Sequence, residues 1–297
     1  MKTVSSCPIC HSIEFTSLTT CIDYTVSHEK YQIITCTNCH LTLTSPRPTD
    51  ENLGHYYLSD TYISHSNKAS TIIDRLYLIT RKFTIRWKVN LIRKYTLEKN
   101  EIPLLDYGCG TGEFLKSCQD AGFIISGVEP SKTARDKSSA TNHVKIHPSI
   151  EELEGQIFKV ITLWHVLEHI SEFEKIIQDL RTKLDSDGIM LIAVPNYKSF
   201  DAQHYKENWA AFDVPRHLWH FSMTTMKALL HKNQLTLIDI CGMKMDAFYV
   251  SMLSEKYKSG NLATIYGYLK AFFFGIISNW KAKKSGEYSS LIYIVKK

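Results

Sequence analysis

The sequence lacks several features that would place it in common protein classes. It has no apolar run near the roughly 20 residues that a membrane-spanning helix requires. No apolar run follows Met1, so we expect no secretory signal peptide. The eight cysteines do not follow the pattern of a short, disulfide-rich secreted domain, and we interpret them as reduced thiols of a cytoplasmic protein.

The chain also has little net charge for its length, and this charge is unevenly placed. Its 297 residues carry a formal charge of +5. The segment from Lys68 to Lys99 holds nine basic and two acidic residues, so it alone carries +7. Basic residues confined to one segment do not by themselves indicate a nucleic-acid-binding protein. The 44% hydrophobic content is enough for one large core and a smaller appendage.

Two C-x-x-C pairs lie near the amino terminus, separated by 25 residues of polar, alternating sequence. A hairpin would bring the two pairs together as four thiolate ligands, which suits a closed and therefore structural zinc site. We predict a zinc-ribbon-like module over residues 1–48, stabilised by the metal. The predicted ligands are Cys7, Cys10, Cys36 and Cys39. Four other residues are alternative ligands: Cys21, His11, His28 and His40.

Residues 49–100 are predicted to form a helical linker. Apolar side chains recur every three or four positions from Ile72 to Tyr95, which indicates one face of a helix. The members of this face are Ile72, Leu76, Ile79, Phe83, Trp87, Leu91 and Tyr95. Basic residues occupy the other face: Arg75, Arg81, Lys82, Arg86, Lys88, Arg93 and Lys94. We interpret the basic face as solvated, and an anionic partner such as a phosphorylated substrate, RNA or an acidic membrane surface is the alternative.

The central motif is LLDYGCGTGEF, from Leu104 to Phe114. An apolar run ends in Asp106, three glycines alternate, and a helix-like segment begins at Glu113. This pattern predicts a strand, a tight turn and a helix start, whose free N–H groups suit a carboxylate or phosphate. Glu113 replaces the third glycine of the dinucleotide fingerprint, and the Gly-Lys-Ser/Thr ending of a P-loop is absent.

Strand-like and helix-like segments alternate after this turn. Strands are predicted at 123–128, 144–146, 158–163 and 189–194, with helices between them. Such alternation predicts an α/β fold with a doubly wound parallel sheet, whose ligands bind at the carboxyl ends of the strands. Glu129 follows the second strand, where an acidic side chain can accept both hydrogen bonds of a ribose diol.

These motifs resemble those of the class I S-adenosylmethionine-dependent methyltransferases, over roughly residues 102–196. FKVITLWHVLEHI resembles the fourth-strand segment of that family, and LDSDGIMLIAVPN resembles its fifth strand. The resemblance implies a seven-stranded Rossmann-like sheet within residues 101–297, an antiparallel last strand and S-adenosylmethionine as cofactor. Eight positions are implied to contact the cofactor: Asp106, Gly108, Cys109, Gly110, Gly112, Glu129, Trp164 and His165. The corner at 147–149 is the candidate for contacting adenine.

The segment WAAFDVPRHLWHFS, from Trp209 to Ser222, has the position of an acceptor-binding loop in this family. A hydroxyl acceptor needs a general base, and histidine suits that role near neutral pH. The candidate bases are His165, His217 and His220. A helical insertion at about 246–285 carries a dense apolar stripe within 262–280, which we expect either to pack over the acceptor site or to contact a lipid-like substrate or bilayer surface.

The sequence therefore predicts a methyltransferase for a small-molecule acceptor, acting on a hydroxyl of a sugar, quinone-like or lipid-linked compound. Zinc-bearing sugar methyltransferases and ubiquinone-pathway enzymes are the most similar groups. We expect it in the cytoplasm or peripherally at the inner face of the membrane. Two alternatives stay open: an RNA methyltransferase using the zinc module and basic helix, and a non-enzymatic cofactor-binding or zinc scaffold protein. Against RNA, residues 163–166 lack the Asn/Asp-Pro-Pro-aromatic motif of exocyclic-amine enzymes.

Overall fold

The computed structural model of the chain describes residues 1–57, 72–96, 101–260 and 264–297, with backbone alone for 72–80. The strands, in chain order, are β1 (Phe15–Ile22), β2 (Lys30–Cys36), β3 (Thr42–Thr44), β4 (Ile102–Tyr107), β5 (Phe123–Val128), β6 (Phe158–Trp164), β7 (Leu184–Pro195), β8 (Trp219–His220), β9 (Thr236–Gly242) and β10 (Ser290–Lys296). The α-helices, in chain order, are α1 (Asp50–Leu53), α2 (Ile72–Tyr95), α3 (Glu113–Asp120), α4 (Lys132–Asn142), α5 (Phe173–Lys183), α6 (Phe200–Tyr205), α7 (Met223–Lys232), α8 (Asp246–Lys258) and α9 (Ile265–Ser285).

The larger sheet has six strands in the order β5-β4-β6-β7-β10-β9. Strands β4 to β7 pair in parallel, whereas β10 runs antiparallel between β7 and β9, as the family resemblance implied. Its central strands are buried along most of their length, which is the pattern of a sheet covered on both faces. The predicted α/β fold class is confirmed.

The sheet has one strand fewer than the seven predicted, within the part of the chain that the structure describes. The segment predicted as the third strand, 144–146, is reduced to an isolated parallel bridge between Val128 and His147. His147 N–H donates to the Gly127 carbonyl at 2.9 Å, and its own carbonyl accepts from Glu129 N–H at 2.8 Å. Pro148 comes next and has no N–H to extend the pairing, so the strand ends there.

Helices cover both faces of this sheet. Buried side chains of α5 and α7, such as Ile177 and Leu229, pack on one face. Those of α2 and α3, such as Ile92 and Leu115, pack on the other. Alternate residues of one strand divide between these two cores, as Leu104 and Leu105 of β4 do.

The smaller sheet has the order β1-β2-β3-β8 and is antiparallel throughout. Its fourth strand, β8, comes from the segment predicted to bind the acceptor, where Trp219 pairs with Leu43 of β3. Arg216, which is 1% exposed, binds Asp23 of the amino-terminal module with a 3.0 Å Nη2–Oδ1 distance. The backbone pairing therefore crosses the predicted boundary at residue 48.

Helix α2 follows its predicted apolar face only near its end, over the residues whose side chains are described: Leu91 is 8% exposed, as predicted, but the turns before it bury a different face. Phe83 and Trp87, predicted on the buried face, are 67% and 39% exposed. Arg81 and Lys88, predicted on the outer face, point inward, and Arg81 forms an ion pair with Glu113. The prediction failed because this helix covers the acidic, polar end of the sheet, where cations are stabilised by the carboxylates.

The predicted helical insertion consists of α8 and α9, which pack on each other. Leu262, the first residue of the predicted apolar stripe, lies outside the described residues. No helix in the described ranges combines the length and the apolar composition needed to cross a bilayer.

Candidate active site

The turn after β4 is held by three glycines in the left-handed region, with φ of 78° at Gly108, 54° at Gly110 and 81° at Gly112. A Cβ on Gly108 would lie 2.5 Å from Val166, and one on Gly112 would lie 2.2 Å from Ser138. By contrast, a Cβ on Gly110 would meet no atom within 4 Å. Gly108 and Gly112 therefore allow the turn to pack against the protein, whereas Gly110 borders open space that a ligand can enter.

Glu129 joins the end of β5 to this turn. Its side chain accepts hydrogen bonds from the N–H groups of Gly110 and Ser131, both at 2.9 Å. Each carboxylate oxygen keeps a further lone pair, so the group can still accept from a ribose diol. Glu129 therefore lies beside the turn with acceptor capacity left for a ligand, and ribose binding by this residue stays a prediction.

Asp106 ends β4 and is nearly fully buried beside the turn. It accepts a 2.7 Å hydrogen bond from the Thr162 hydroxyl. Burial raises the pKa of Asp106 to about 7, although the Thr162 hydrogen bond and the Lys88 ammonium lower it. A carboxylate with this pKa changes its ionisation close to neutral pH, so a nearby cation will decide its charge.

Lys88 of α2 supplies a cation that the sequence analysis placed on the outer face. Its Nζ lies 4.2 Å from the centroid of the Trp164 ring. Burial lowers the pKa of Lys88 to about 8, while the carboxylates of Asp246 and Asp106 raise it. Arg81, Ile85 and Lys88 are spaced three or four residues apart, so they share one face of the helix. This face would have been identified as the inner one if α2 had been assumed to cover a polar surface.

Trp164 is the last residue of β6, and His165 follows it, next to the turn. The Trp164 ring packs edge-on against Phe114 at 5.4 Å between centroids, and its buried Nε1–H has no hydrogen-bond partner. An unpartnered donor and the open space at Gly110 fit a nucleoside ligand at this edge. The turn, Glu129 and Trp164 would together hold S-adenosylmethionine.

His165 lies between two carboxylates and adopts a left-handed φ of 56°. Its Nε2 is 3.0 Å from Asp246 Oδ2, and its Nδ1 is 3.4 Å from Glu168 Oε1. Burial lowers the pKa of His165, but the two carboxylates outweigh this effect and raise it to about 9. His165 is therefore an imidazolium at neutral pH, and Asp246 is a site residue that sequence reasoning missed.

The other two candidate bases have different partners. His217 Nδ1–H donates to the Ala211 carbonyl at 2.8 Å. The Thr44 hydroxyl donates to the His217 carbonyl and accepts from His220 Nε2–H at 3.0 Å. Burial holds the pKa of His220 well below its usual range, so this histidine is neutral. His220 thus fixes the junction of the two sheets.

Glu168 and His169 form a cluster with His217 that sequence reasoning also missed. One possible ligand atom of each residue lies within 4.8 Å of the others. The Glu168 side chain is fully buried, with His165 Nδ1 3.4 Å from its Oε1, whereas His169 Nδ1 lies 3.0 Å from the Tyr57 hydroxyl. The spacing of His165, Glu168 and His169 puts them on one side of a helical turn, which is the signal that could have identified them.

The four predicted zinc ligands come together at the amino terminus. Cys7 Sγ is 3.3 Å from Cys39 Sγ, and Cys10 Sγ is 3.5 Å from Cys36 Sγ. Zinc–sulfur bonds of about 2.3 Å in a tetrahedron place the sulfurs about 3.8 Å apart, so this set fits the ion. Cys21 belongs to a separate core cluster.

Two of the alternative ligands instead close the C-x-x-C turns. His11 and His40 have φ of 59° and 61°. Their N–H groups donate to the carbonyls of Cys7 and Cys36 at 2.8 and 3.0 Å. His28 likewise has a positive φ and donates its N–H to the Asp23 carbonyl at 3.1 Å. The four cysteines are therefore the ligand set that the geometry favours.

Comparisons with known proteins indicate the family of this chain. Residues 81–240, more than half of the 297, match a family model described as "Methyltransferase domain". The chain is 27% identical to a ubiquinone biosynthesis O-methyltransferase of Rickettsia typhi, over 39% of this chain and 53% of the relative. It is 26% identical to the enzyme of that name from Rhodopseudomonas palustris, over 46% and 58%. The chain therefore matches only a little over half the length of these relatives.

Solved structures share the fold at low sequence identity. Magnesium protoporphyrin IX methyltransferase of Synechocystis PCC 6803 with bound SAH has a TM-score of 0.55 at 12% identity, covering 84% of this chain and 100% of that one. A cyclopropane synthase of Mycobacterium tuberculosis has a TM-score of 0.53 at 14% identity, covering 85% and 100%. With its family-model match, its sheet order and its glycine turn, the chain belongs to the methyltransferase domain family.

Proposed function

We propose that this protein transfers the methyl group of S-adenosylmethionine to a hydroxyl oxygen of a small-molecule acceptor. The observation that carries the proposal is the adjoining arrangement of an open glycine turn, a ribose-type carboxylate and a histidine held between carboxylates. The names of the curated relatives support an oxygen atom as the acceptor.

The chain's own residues would bind and orient the cofactor. Asp106, Cys109 and the glycine turn would hold its methionine part, Glu129 its ribose, and the corner at 147–149 its adenine. The cofactor supplies an electrophilic methyl group on sulfur, so the protein's main tasks are alignment and exclusion of water. Trp164 and the inner face of α2 would exclude water from the sulfonium side of the cleft.

His165 is the proposed general base. Its pKa of about 9 leaves about 1% of it neutral at pH 7, and that fraction accepts the hydroxyl proton. Asp246 then stabilises the imidazolium, as a carboxylate does for a catalytic histidine. His217 and His220 act as positioning residues, because their ring nitrogens already bond to Ala211 and Thr44.

The proposed acceptor is a sugar, a quinone-like compound or a lipid-linked compound. Names of the relatives support a quinone-like ring, and the apolar outer surface of α9 supports a lipid link. The RNA alternative has less support, because two cations of the basic helix already have partners: Arg81 pairs with Glu113, and Lys88 lies against Trp164. Lys82, Arg86 and Lys94 remain exposed on this helix.

The direct experiment is incubation of the purified protein with methyl-labelled S-adenosylmethionine and separate lipid, glycan and RNA fractions of cell extract. We expect label in an alkali-stable ether of the lipid or glycan fraction, and none with the variant Gly110→Val. Label in RNA alone would overturn the choice of acceptor. Cofactor binding by calorimetry without any labelled acceptor would favour a non-enzymatic role.

A structural zinc ion is the second part of the proposal. We expect about one zinc per chain by elemental analysis, and its loss in Cys36→Ser. Cys118→Ser is the matched control, because Cys118 is equally buried but lies in the core of the larger sheet. Equal zinc content in both variants would contradict the four-cysteine site.

A further inference from the structure

The outer face of α9 presents large apolar side chains to water. Six of them are between 47% and 81% exposed: Ile265, Leu269, Phe272, Phe273, Ile276 and Trp280. They are spaced at the one-, three- and four-residue intervals of a single helical face, so they form one continuous stripe. A stripe of several aromatic and aliphatic side chains on one surface indicates an interaction site.

The inner face of α9 shows why this stripe faces outward. Its buried residues are small: Ala271, Gly275, Ser278 and Ala282. A Cβ on Gly275 would lie 2.5 Å from the Phe248 ring, so α8 approaches this helix closely. The helix cannot rotate its large side chains inward without losing this close packing, so the outward stripe is built into the fold.

The charged side chains of α9 indicate which kind of partner fits this face. The helix contains four lysines, Lys270, Lys281, Lys283 and Lys284, and no acidic residue. Lys270 forms an ion pair with Glu255 of α8, with 3.5 Å between Nζ and Oε2. A second copy of the chain at this face would bring the other three lysines against the same three. An anionic surface would instead complement them, and Lys284 already lies 6.0 Å from the Trp280 ring centroid.

We infer that the outer face of α9 docks on a bilayer surface that contains anionic headgroups. The aromatic stripe enters the boundary of the acyl chains, and the lysines remain at the level of the phosphates. Exposed aromatics beside lysines are the residue types that bind such an interface.

Hydrogen bonds connect this docking surface to the segment predicted to bind the acceptor. Ser278 of α9 donates to Asp201 at 2.7 Å. Asp201 also accepts from Trp209 Nε1–H at 2.8 Å, at the start of that segment. A docked α9 would therefore hold this segment close to the membrane, where a lipid-linked acceptor resides.

The test is co-sedimentation of the full chain with vesicles, without cofactor or acceptor, so its outcome is independent of methyl transfer. We expect binding to vesicles of phosphatidylglycerol and phosphatidylcholine that weakens with added salt, and weaker binding to phosphatidylcholine alone. The double variant Phe272→Ser/Phe273→Ser should lower the partition coefficient by roughly tenfold or more.

The matched control is Ile124→Ser/Ile238→Ser, which removes exposed apolar side chains from the two edge strands of the larger sheet. Circular dichroism and calorimetric cofactor binding check that each variant is folded. Equal vesicle binding by the α9 variant and the unchanged protein would overturn the inference. So would self-association of the unchanged chain in sedimentation velocity that the α9 variant abolishes, because the stripe would then join two copies.

Discussion

The two sides of the candidate active site are built by different means. The centre of the cofactor side, from Asp106 to Ser131, comes from one short stretch of chain whose glycines and strand ends fix its shape. The acceptor side joins residues far apart in sequence, through the buried pair Arg216–Asp23 and the half-buried pair His165–Asp246. A local turn conformation maintains the first side, whereas long-range charge pairing maintains the second.

The largest expected effect is on the acceptor side. Arg216→Met removes the buried cation that binds both Asp23 and Asp213, leaving two carboxylates without their partner. We expect the free energy of unfolding to fall by about 3–5 kcal/mol. Urea denaturation measures it, with the exposed Arg86→Met as the control. A loss equal to that of the control would show that the pairing between the module and the domain is dispensable.

The next effect tests the cofactor side. Gly110→Val should weaken S-adenosylmethionine binding about 100-fold, because its side chain enters the open space beside Glu129. Gly155→Val is the matched control: Gly155 also has a positive φ and open space around it, so the backbone cost is similar. Calorimetry compares the two. Unchanged affinity of Gly110→Val for S-adenosylmethionine would show that the cofactor does not bind at this turn.

A third prediction concerns the pairing of His165 with Asp246. If His165 is the base, the rate rises about tenfold per pH unit below its pKa and levels near pH 9, as more imidazole becomes neutral. Asp246→Asn removes a carboxylate that favours the imidazolium, so the midpoint should move to lower pH.

The pH dependence of kcat/KM measures this shift. The control is Asp136→Asn, an exposed carboxylate paired with Lys132. A midpoint that stays in place in Asp246→Asn would exclude His165 as the titrating group.

The smallest effect tests the cation that α2 brings to the cofactor side. Lys88→Met should raise the pKa of Asp106 above its value of about 7. A rise of about one unit lowers the ionised fraction at pH 7 about fivefold, and cofactor affinity should fall in proportion. Titration calorimetry at pH 7 and 9 measures the affinity for S-adenosylmethionine. The affinity of Lys88→Met should recover at pH 9, where Asp106 is ionised again. Lys82→Met, on the exposed face, should change nothing at either pH.

The same contrast explains what the sequence could predict. The positions of the glycine turn, Asp106 and Glu129 were predictable because they follow from local backbone geometry and strand ends. The bonding of Asp246 to His165 was not, because it joins positions on different helices and strands. The face of α2 was predicted wrongly at Phe83 and Trp87, because apolar periodicity assumes an apolar partner and this part of the helix covers carboxylates. The third strand is missing at 144–146, where the Ile146 N–H bonds to the Ser139 hydroxyl of α4 and not to a neighbouring strand.

The pairing of β3 with β8 has a consequence for the order of synthesis. Thr44 and His220, which meet at this junction, are 176 positions apart. A ribosome therefore releases the amino-terminal sheet long before the strand that completes it, and β3 remains an open edge during most of translation. Chains that stop before Trp219 would expose this edge to neighbouring nascent chains, so aggregation of truncated products is an expected cost of this topology.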